Sequence, residues 1–150
     1  MVTRSEAKQK ALDYLSRFAR TELQVVRYLK RKGFTAEEVS STIAYLREHR
    51  FVNDEAYAES FIENRIQRGD GPIKIKQLLL QKGIDSATAQ RLIEEFYPVE
   101  LQLERAEVVI RKRVRSKVLS RDWRQRIFRF VASRGFPPYV IIQAFERLRG

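Results

Sequence analysis

The chain has 150 residues, of which 43% are hydrophobic, and it contains no cysteine. This composition predicts a folded protein rather than a disordered one, and it excludes disulfides and cysteine-ligated zinc within the sequence. The 30 basic residues outnumber the 19 acidic ones, for a net charge of +11, which favours a polyanionic or acidic partner.

Nine helices and no sheet are predicted from the spacing of apolar residues. The fourth helix begins at the cap Asn53 or Asp54 and ends between Arg65 and Arg68. The other eight are expected at 5–18, 21–32, 36–49, 72–82, 86–96, 99–114, 121–134 and 138–149. We expect an all-α, elongated and curved array of three tandem three-helix repeats, with boundaries at 1–50, 51–97 and 98–150.

An internal repeat supports this array. Gly33, Gly83 and Gly135 are 50 and 52 residues apart, and apolar residues recur at the same offsets on both sides of each glycine. A glycine with a positive φ ends a helix without strain, and the residue after it contacts the last turn. Thr35 with Glu38 forms a capping box that starts the next helix at once. Each repeat is thus a leading helix followed by a pair joined at a glycine turn.

The charge is unevenly distributed. Residues 1–50 carry 11 basic and 6 acidic residues, residues 51–98 carry 6 and 8, and residues 99–150 carry 13 and 5. Two basic ends flanking a slightly acidic middle suggest a long polyanion or an acidic protein groove as the partner. The alternative is a solvated surface that only keeps the protein soluble.

Catalytic and metal-binding chemistry has little support in the sequence. His49 is the only histidine, so neither a histidine-based triad nor a Cys/His zinc site can be assembled. The segment 69–71 lacks the Gly-Lys-Ser/Thr ending of a phosphate-binding loop. We therefore predict a protein that is not an enzyme and that needs no cofactor or metal.

The sequence also predicts where the protein resides. Residues 1–10 are polar, and no apolar run approaches the length of a membrane span. The basic run at 111–117 has no large apolar face beside it that would insert into a membrane. We expect a cytoplasmic monomer without membrane contact.

Two kinds of binding can be compared. A helix, a turn and a helix invite the helix-turn-helix interpretation, in which the second helix enters the DNA major groove. The second helices here begin with acidic or apolar residues, at 35–38, 85–88 and 137–140, where phosphates and bases would be met. Basic residues lie instead on the first helix of each pair, which favours docking along a polymer. The predicted partner-binding or DNA-binding basic face comprises Lys30, Arg31, Lys32, Arg65, Arg68, Lys74, Lys76, Lys82, Arg111, Lys112, Arg113, Arg115 and Lys117.

The segment 71–84, GPIKIKQLLLQKGI, resembles the central signature of the bacterial RecX family, the regulators of the RecA recombinase. That signature has a Gly-Pro, a basic residue, Ile, a Glu-Leu pair and Lys-Gly-Ile. The chain departs from it at Leu78, where Glu is usual.

Flanking segments extend the resemblance over nearly the whole chain. Asn53-Asp54, Tyr57-Ala58, Phe61 and Arg65 are similar to the acidic, aromatic and basic positions that precede the family signature, with Asn53 in place of an Asp. In the first repeat, Lys32-Gly33-Phe34 resembles the family's turn, although Gln24 and Tyr28 replace the usual Glu and Lys, and the third repeat is looser.

The resemblance implies an all-helical protein of three repeats that binds RecA, chiefly its filament on single-stranded DNA. It implies restraint of filament growth, ATP hydrolysis and strand exchange, in DNA repair and recombination and the SOS response. The competing hypothesis is a nucleic-acid-binding helical module, indifferent to base sequence, that acts without RecA.

Overall fold

A computed structural model describes residues 4–115 and 121–149. These residues form nine α-helices and no strand, so the predicted all-α fold is confirmed for the described part of the chain. The helices are α1 Arg4–Leu15, α2 Glu22–Arg31, α3 Ala36–Glu48, α4 Asp54–Gln67, α5 Pro72–Gln81, α6 Ser86–Phe96, α7 Val99–Arg115, α8 Trp123–Ser133 and α9 Pro138–Arg149. Among them, no helix is both long and apolar enough to cross a membrane.

Side-chain caps explain where several helices begin. Thr21 with Gln24 and Thr35 with Glu38 form capping boxes at α2 and α3, which satisfy backbone N–H groups that have no partner within the helix. At α4 the cap is Asn53, whose Oδ1 accepts a hydrogen bond from the Ala56 N–H at 3.0 Å. These short-range signals fix the helix starts before any packing is considered.

The helices pack in three groups along the chain. Contacts join α1, α2 and α3 to one another, and the same holds for α4 to α6 and for α7 to α9. The first group has its own hydrophobic core, whereas the second and third groups share one continuous core that includes Ile62, Leu79, Tyr97, Phe136 and Ile141. The repeat boundaries at 1–50, 51–97 and 98–150 stay a prediction.

Glycine turns join the helices within each pair. Gly33, Gly83 and Gly135 have φ values of 93°, 91° and 100°. In the first pair, the Phe34 N–H donates to the Leu29 carbonyl at 3.2 Å and the Gly33 N–H donates to the Lys30 carbonyl at 3.0 Å. This Schellman pattern satisfies carbonyl groups at the end of α2 and turns the chain directly into α3.

Two further helices end in the same way. The Asp70 N–H donates to the Arg65 carbonyl at 3.0 Å at the end of α4, where Gly69 has a φ of 91°. The Phe51 N–H donates to the Leu46 carbonyl at 2.8 Å at the end of α3. There the left-handed position is held by Arg50, with a φ of 59°, which is the only non-glycine residue with positive φ in the described part of the chain.

The glycine turns also join the three groups of helices. A Cβ on Gly83 would collide with Leu23 at the start of α2, and a Cβ on Gly135 would collide with Lys74 at the start of α5. Around Gly33, by contrast, a Cβ would meet no atom within 4 Å. The second and third turns are therefore seated on the preceding group, and the first turn faces open space.

Such serial packing exposes more surface than a sphere-like fold. The chain has an accessible surface of 9599 Å², whereas a compact protein of 17.8 kDa would expose about 8,000 Å². This excess is what an elongated array requires.

The glycine turns give a test of these joints. We expect Gly135→Ala to lower the free energy of unfolding by roughly 1–3 kcal/mol more than Gly33→Ala, because only Gly135 adds overpacking against a neighbour to the cost of positive φ. Urea unfolding of both variants measures the difference. Equal losses would show that the turn of Gly135 is not seated on α5.

A basic cleft at the joint of α4, α7 and α8

A cleft of about 260 Å³ opens where the end of α4 meets α7 and α8. We call it the basic cleft, and it is lined by Ile66, Gln67, Arg68, Gly69, Arg105, Val108, Val109, Lys112, Arg113, Phe130 and Arg134. Five of these residues are cationic and none is acidic. A concave site with that charge favours an anionic ligand group.

Helical spacing on α7 produces one wall of the basic cleft. Val108, Val109 and Lys112 lie three, four and seven residues after Arg105, so the four side chains share a face of the helix. The same helix buries Leu103, Ala106 and Ile110 in the core, which fixes the direction of the outer face.

The cationic side chains of the basic cleft differ in whether they already contact other residues of the protein. The Arg113 guanidinium carbon lies 4.1 Å from the centre of the Phe130 ring, and Arg105 Nη2 lies 3.5 Å from Gln67 Oε1. Arg68 and Lys112 have exposed side chains. These two cations are therefore the most available to an incoming anion.

Arg134 has a structural task at the back of the basic cleft. Its Nη2 donates to the Arg68 carbonyl at 2.7 Å, and its Nε donates to the Gly69 carbonyl at 3.3 Å. The same guanidinium lies 3.3 Å from Asp70 Oδ1. Arg134 thus ties the end of α8 to the end of α4.

Asp70 is the centre of this ionic joint. Its side chain is 2% exposed, and it also pairs with Lys74 at 3.3 Å and with Arg65 at 2.6 Å. The Arg65 contact is a close ion pair rather than an aligned hydrogen bond. The attraction to three cations offsets part of the free energy that is lost when the carboxylate is removed from water.

Backbone contacts complete the joint. The Gly71 N–H donates to the Arg134 carbonyl at 2.7 Å, and the Ile73 N–H donates to the Gly135 carbonyl at 2.9 Å. The buried Tyr97 hydroxyl donates to the Asp70 carbonyl at 2.9 Å, and burial raises the pKa of this phenol well above its usual range. The joint is therefore held by neutral hydrogen bonds as well as by charge.

The structure gathers only part of the predicted basic face into the basic cleft. Arg68, Lys112 and Arg113 line it. Arg105 and Arg134 also line it but were not among the predicted site residues. The helical spacing that places Arg105 on the same face of α7 as Lys112 is the sequence signal that would have identified Arg105. No other member of the predicted face lines this cleft in the described part of the chain.

The remaining predicted residues have separate environments. Arg65 and Lys74 are half-buried against Asp70, so much of their charge serves the fold. Lys76 Nζ donates to Gln90 Oε1 at 3.0 Å, and Lys82 Nζ lies 5.3 Å from the centre of the Phe61 ring. Arg111 has a loose ion pair with Glu107 at 3.8 Å. Arg115 is exposed at the end of α7, and Lys117 lies outside the described residues.

Lys30, Arg31 and Lys32 form a second basic patch, at the end of α2. All three side chains are exposed, and Lys32 Nζ lies 5.5 Å from the centre of the Tyr28 ring. Their position also complements the helix dipole.

The chemistry available in the basic cleft is ion pairing and hydrogen bonding to phosphate or carboxylate. Among the described residues, no cluster of His, Cys, Asp and Glu is arranged to hold a metal ion. Arg68 and Lys112 offer donors without a competing carboxylate in the lining, which suits recognition of a charged surface.

Two stretches of the chain match sequence models of one protein family. Residues 7–46 match the first three-helix domain of RecX, and residues 53–93 match its second three-helix domain. The chain belongs to the RecX family. The first match lies within α1–α3, and the second runs from the cap of α4 into α6.

Curated relatives support the same family over most of the chain. A RecX regulatory protein of Caldanaerobacter subterraneus is 34% identical over 131 residues, which cover 87% of this chain and 64% of the relative. A RecX regulatory protein of Streptococcus pneumoniae is 35% identical over 133 residues, covering 88% of this chain and 51% of the relative. The chain thus spans between half and two thirds of the length of these relatives.

Solved structures show that the fold is also shared. The crystal structure of RecX from Lactobacillus salivarius matches with a TM-score of 0.89 at 28% identity, covering 97% of this chain and 96% of that one. Another RecX crystal structure matches with a TM-score of 0.85 at 29% identity, covering 95% and 71%. This RecX chain therefore retains the fold along almost its full described length.

The ionic joint gives a second test of the structure. Asp70→Asn keeps the size of the side chain but leaves three cations without their shared counter-charge. We expect a loss of about 3 kcal/mol in the free energy of unfolding, near the lower end for a broken buried ion pair because the partners reach solvent.

Urea unfolding checks this value, and Glu55→Gln provides the matched control. Glu55 pairs with Arg91 at 2.9 Å, with both side chains about half exposed, so its substitution should have a small effect. Comparable losses for the two variants would contradict the structural role of Asp70.

Proposed function

We propose that this RecX chain is a cytoplasmic regulator that binds the RecA filament on single-stranded DNA. In this proposal it restrains filament growth, ATP hydrolysis and strand exchange during DNA repair and recombination. The observation that carries the proposal is membership of the RecX family, which extends over both matched three-helix domains.

The contact surface proposed here combines the basic cleft with the basic patch at the end of α2. Both present exposed cations, and they belong to different groups of helices. The elongated array carries positive charge at separated points. In the groove of a helical polymer, each protomer presents the same acidic surface or DNA phosphates, so one array could contact several protomers at once. Bridging neighbouring protomers would restrain their exchange and movement.

A nucleic-acid-binding module that works without RecA is the alternative. The absence of carboxylates from the lining of the basic cleft also suits DNA phosphates. Measuring affinity for bare single-stranded DNA and for RecA-coated DNA at physiological salt separates the two proposals. Tighter binding to the coated DNA supports RecA regulation, and tighter binding to bare DNA supports the module.

The first functional test is a titration of RecA's DNA-dependent ATP hydrolysis with this protein. We expect strong inhibition well below one copy per RecA protomer, because one copy that caps or bridges a filament affects many protomers. Inhibition only at amounts that cover the DNA, or none at all, would contradict action on the filament.

A second functional test locates the contact surface. We expect the double variant Arg68→Glu and Lys112→Glu to raise the concentration needed for half-inhibition at least about tenfold, because charge-assisted hydrogen bonds would be replaced by repulsion. Lys10→Glu, on the exposed face of α1, is the matched control and should inhibit as the wild type does.

The same assay tests the predicted basic run of α7 as a whole. Charge reversal of residues 111–117 should likewise weaken inhibition. If inhibition is unchanged in both sets of variants, the assignment of this face to RecA or DNA contact is wrong.

A further inference from the structure

A second concave site lies where the first and second groups of helices meet. It has a volume of about 450 Å³ and is formed by the segment before α2, the turn between α3 and α4, and one face of α4. We call it the aromatic groove, and it is lined by Ala19, Arg20, Arg50, Phe51, Asn53, Ala56, Tyr57, Ser60, Phe61 and Asn64.

Helix α4 separates its side chains into three faces. Ala58, Ile62 and Ile66 are buried in the core. Glu55, Glu59 and Glu63 follow one another at a spacing of four along another face, and Glu55 is turned toward Arg91. The face with Tyr57, Ser60, Phe61 and Asn64 lines the aromatic groove and carries no carboxylate. An acidic helix thus presents a neutral, aromatic surface to the groove.

Three aromatic rings reach this surface. Phe51 is 49% exposed. Tyr57 and Phe61 are half-buried, with ring centres 6.1 Å apart and planes inclined by 15°. Both side chains pack against the core that contains Ile62, and both also line the aromatic groove. Flat rings that are accessible in a groove are platforms for stacking.

Cations surround the rings. Arg20 lines the aromatic groove with a buried Nε–H that has no hydrogen-bond acceptor. Lys82 Nζ lies 5.3 Å, and the Arg65 guanidinium carbon 5.7 Å, from the centre of the Phe61 ring. Arg20 and Arg50 are the cations of the lining, which contains no acidic residue, and the charge of Arg65 is shared with Asp70.

Arg50 holds its position despite a strained backbone. It has a φ of 59° at a helix end where the glycine turns of the chain have glycine. A non-glycine residue in the left-handed region costs roughly 1–2 kcal/mol, so glycine would suit the fold better here. The side chain of Arg50 is exposed and lines the aromatic groove. Strain at an exposed residue that lines a groove points to a role outside folding.

We propose that the aromatic groove binds single-stranded nucleic acid. Bases stack on Phe51, Tyr57 and Phe61, and phosphates pair with Arg20 and Arg50. Ser60 and Asn64, which are exposed beside the rings, are available for hydrogen bonds to base edges. The site does not depend on the proposed regulation of RecA, and its test contains no RecA.

The mixture of rings and cations selects this occupant over others. An acidic peptide would satisfy the arginines but would leave the accessible rings without flat partners, and a duplex keeps its bases stacked inside. A single strand offers both a base face and a phosphate at each nucleotide. An acidic peptide is therefore an explicit competitor in the test.

Fluorescence anisotropy with the full chain tests the proposal. The probes are a labelled oligodeoxythymidylate of about 12 nucleotides, an abasic strand of the same length and a duplex of the same length. We expect the oligodeoxythymidylate to bind most tightly, and a polyglutamate peptide to compete poorly with it.

Ring variants distinguish stacking from charge attraction. Phe51→Leu with Tyr57→Leu should weaken binding of the oligodeoxythymidylate at least about tenfold and leave the abasic strand unaffected, because stacking needs a base. Tyr139→Leu is the control, since Tyr139 is 53% exposed at the start of α9, away from the aromatic groove. Thermal unfolding confirms that each variant is folded.

Arg50 gives a variant that keeps or improves the fold. Arg50→Gly relieves the positive φ, so the variant should be no less stable than the wild type. We expect it to weaken strand binding about as much as Arg50→Gln does, and to lower the salt slope of the affinity by about one. Arg124→Gln, in the third group of helices, is the charge control.

Three results would each overturn the proposal. The first is tight binding of the abasic strand that matches the oligodeoxythymidylate. The second is unchanged binding in the folded ring variants. The third is effective displacement of the oligodeoxythymidylate by polyglutamate that is lost in the variant with Phe51→Leu and Tyr57→Leu. That result would assign the aromatic groove to an acidic peptide.

Discussion

The close backbone contact between Gly71 and Gly135 is the constraint on which the second half of the protein depends. A Cβ on Gly71 would collide with the backbone of Gly135, and a Cβ on Gly135 would collide with Lys74. Because these two segments of the chain approach this closely, the end of α8 lies on the start of α5. That approach brings Arg134 to Asp70 and sets α7 across the end of α4, so the basic cleft is a consequence of the joint.

The joint between the first and second groups of helices is built differently. The Thr21 hydroxyl donates to the Lys82 carbonyl at 2.6 Å, and the Glu22 N–H donates to Asp54 Oδ1 at 2.9 Å. Burial raises the pKa of Asp54, although the hydrogen bond from the Glu22 N–H opposes that shift. This joint lacks the continuous apolar core of the second one. Its rings and cations therefore remain open to ligands, which is why the aromatic groove lies there.

The fold could be predicted because its signals lie close together in the sequence. The sites were harder to predict because their residues are far apart in the sequence. The spacing of the glycines and the Thr35 cap define helix ends within a few residues. Arg134 approaches Asp70 across 64 positions, so no short-range pattern assigns Arg65 and Lys74 to a structural cluster. The turn at Arg50 did leave a signal: Leu46 and Phe51 occupy the offsets that Leu29 and Phe34 occupy around Gly33. Because Arg50 stands where the other turns have glycine, the repeat pattern does not show this turn.

Counting charges overstates how many of them are available for binding. Arg65, Lys74 and Arg134 share one buried carboxylate, and Arg147 lies 2.8 Å from Glu107 and 3.1 Å from Glu100. The exposed cations that remain are gathered at separate points of the array, whose spacing is set by the glycine joints. A partner that contacts two such points binds them as one multivalent surface, with an affinity that depends on the stiffness between them. We therefore expect the packing of Gly83 and Gly135 to influence binding of such a partner without contacting it.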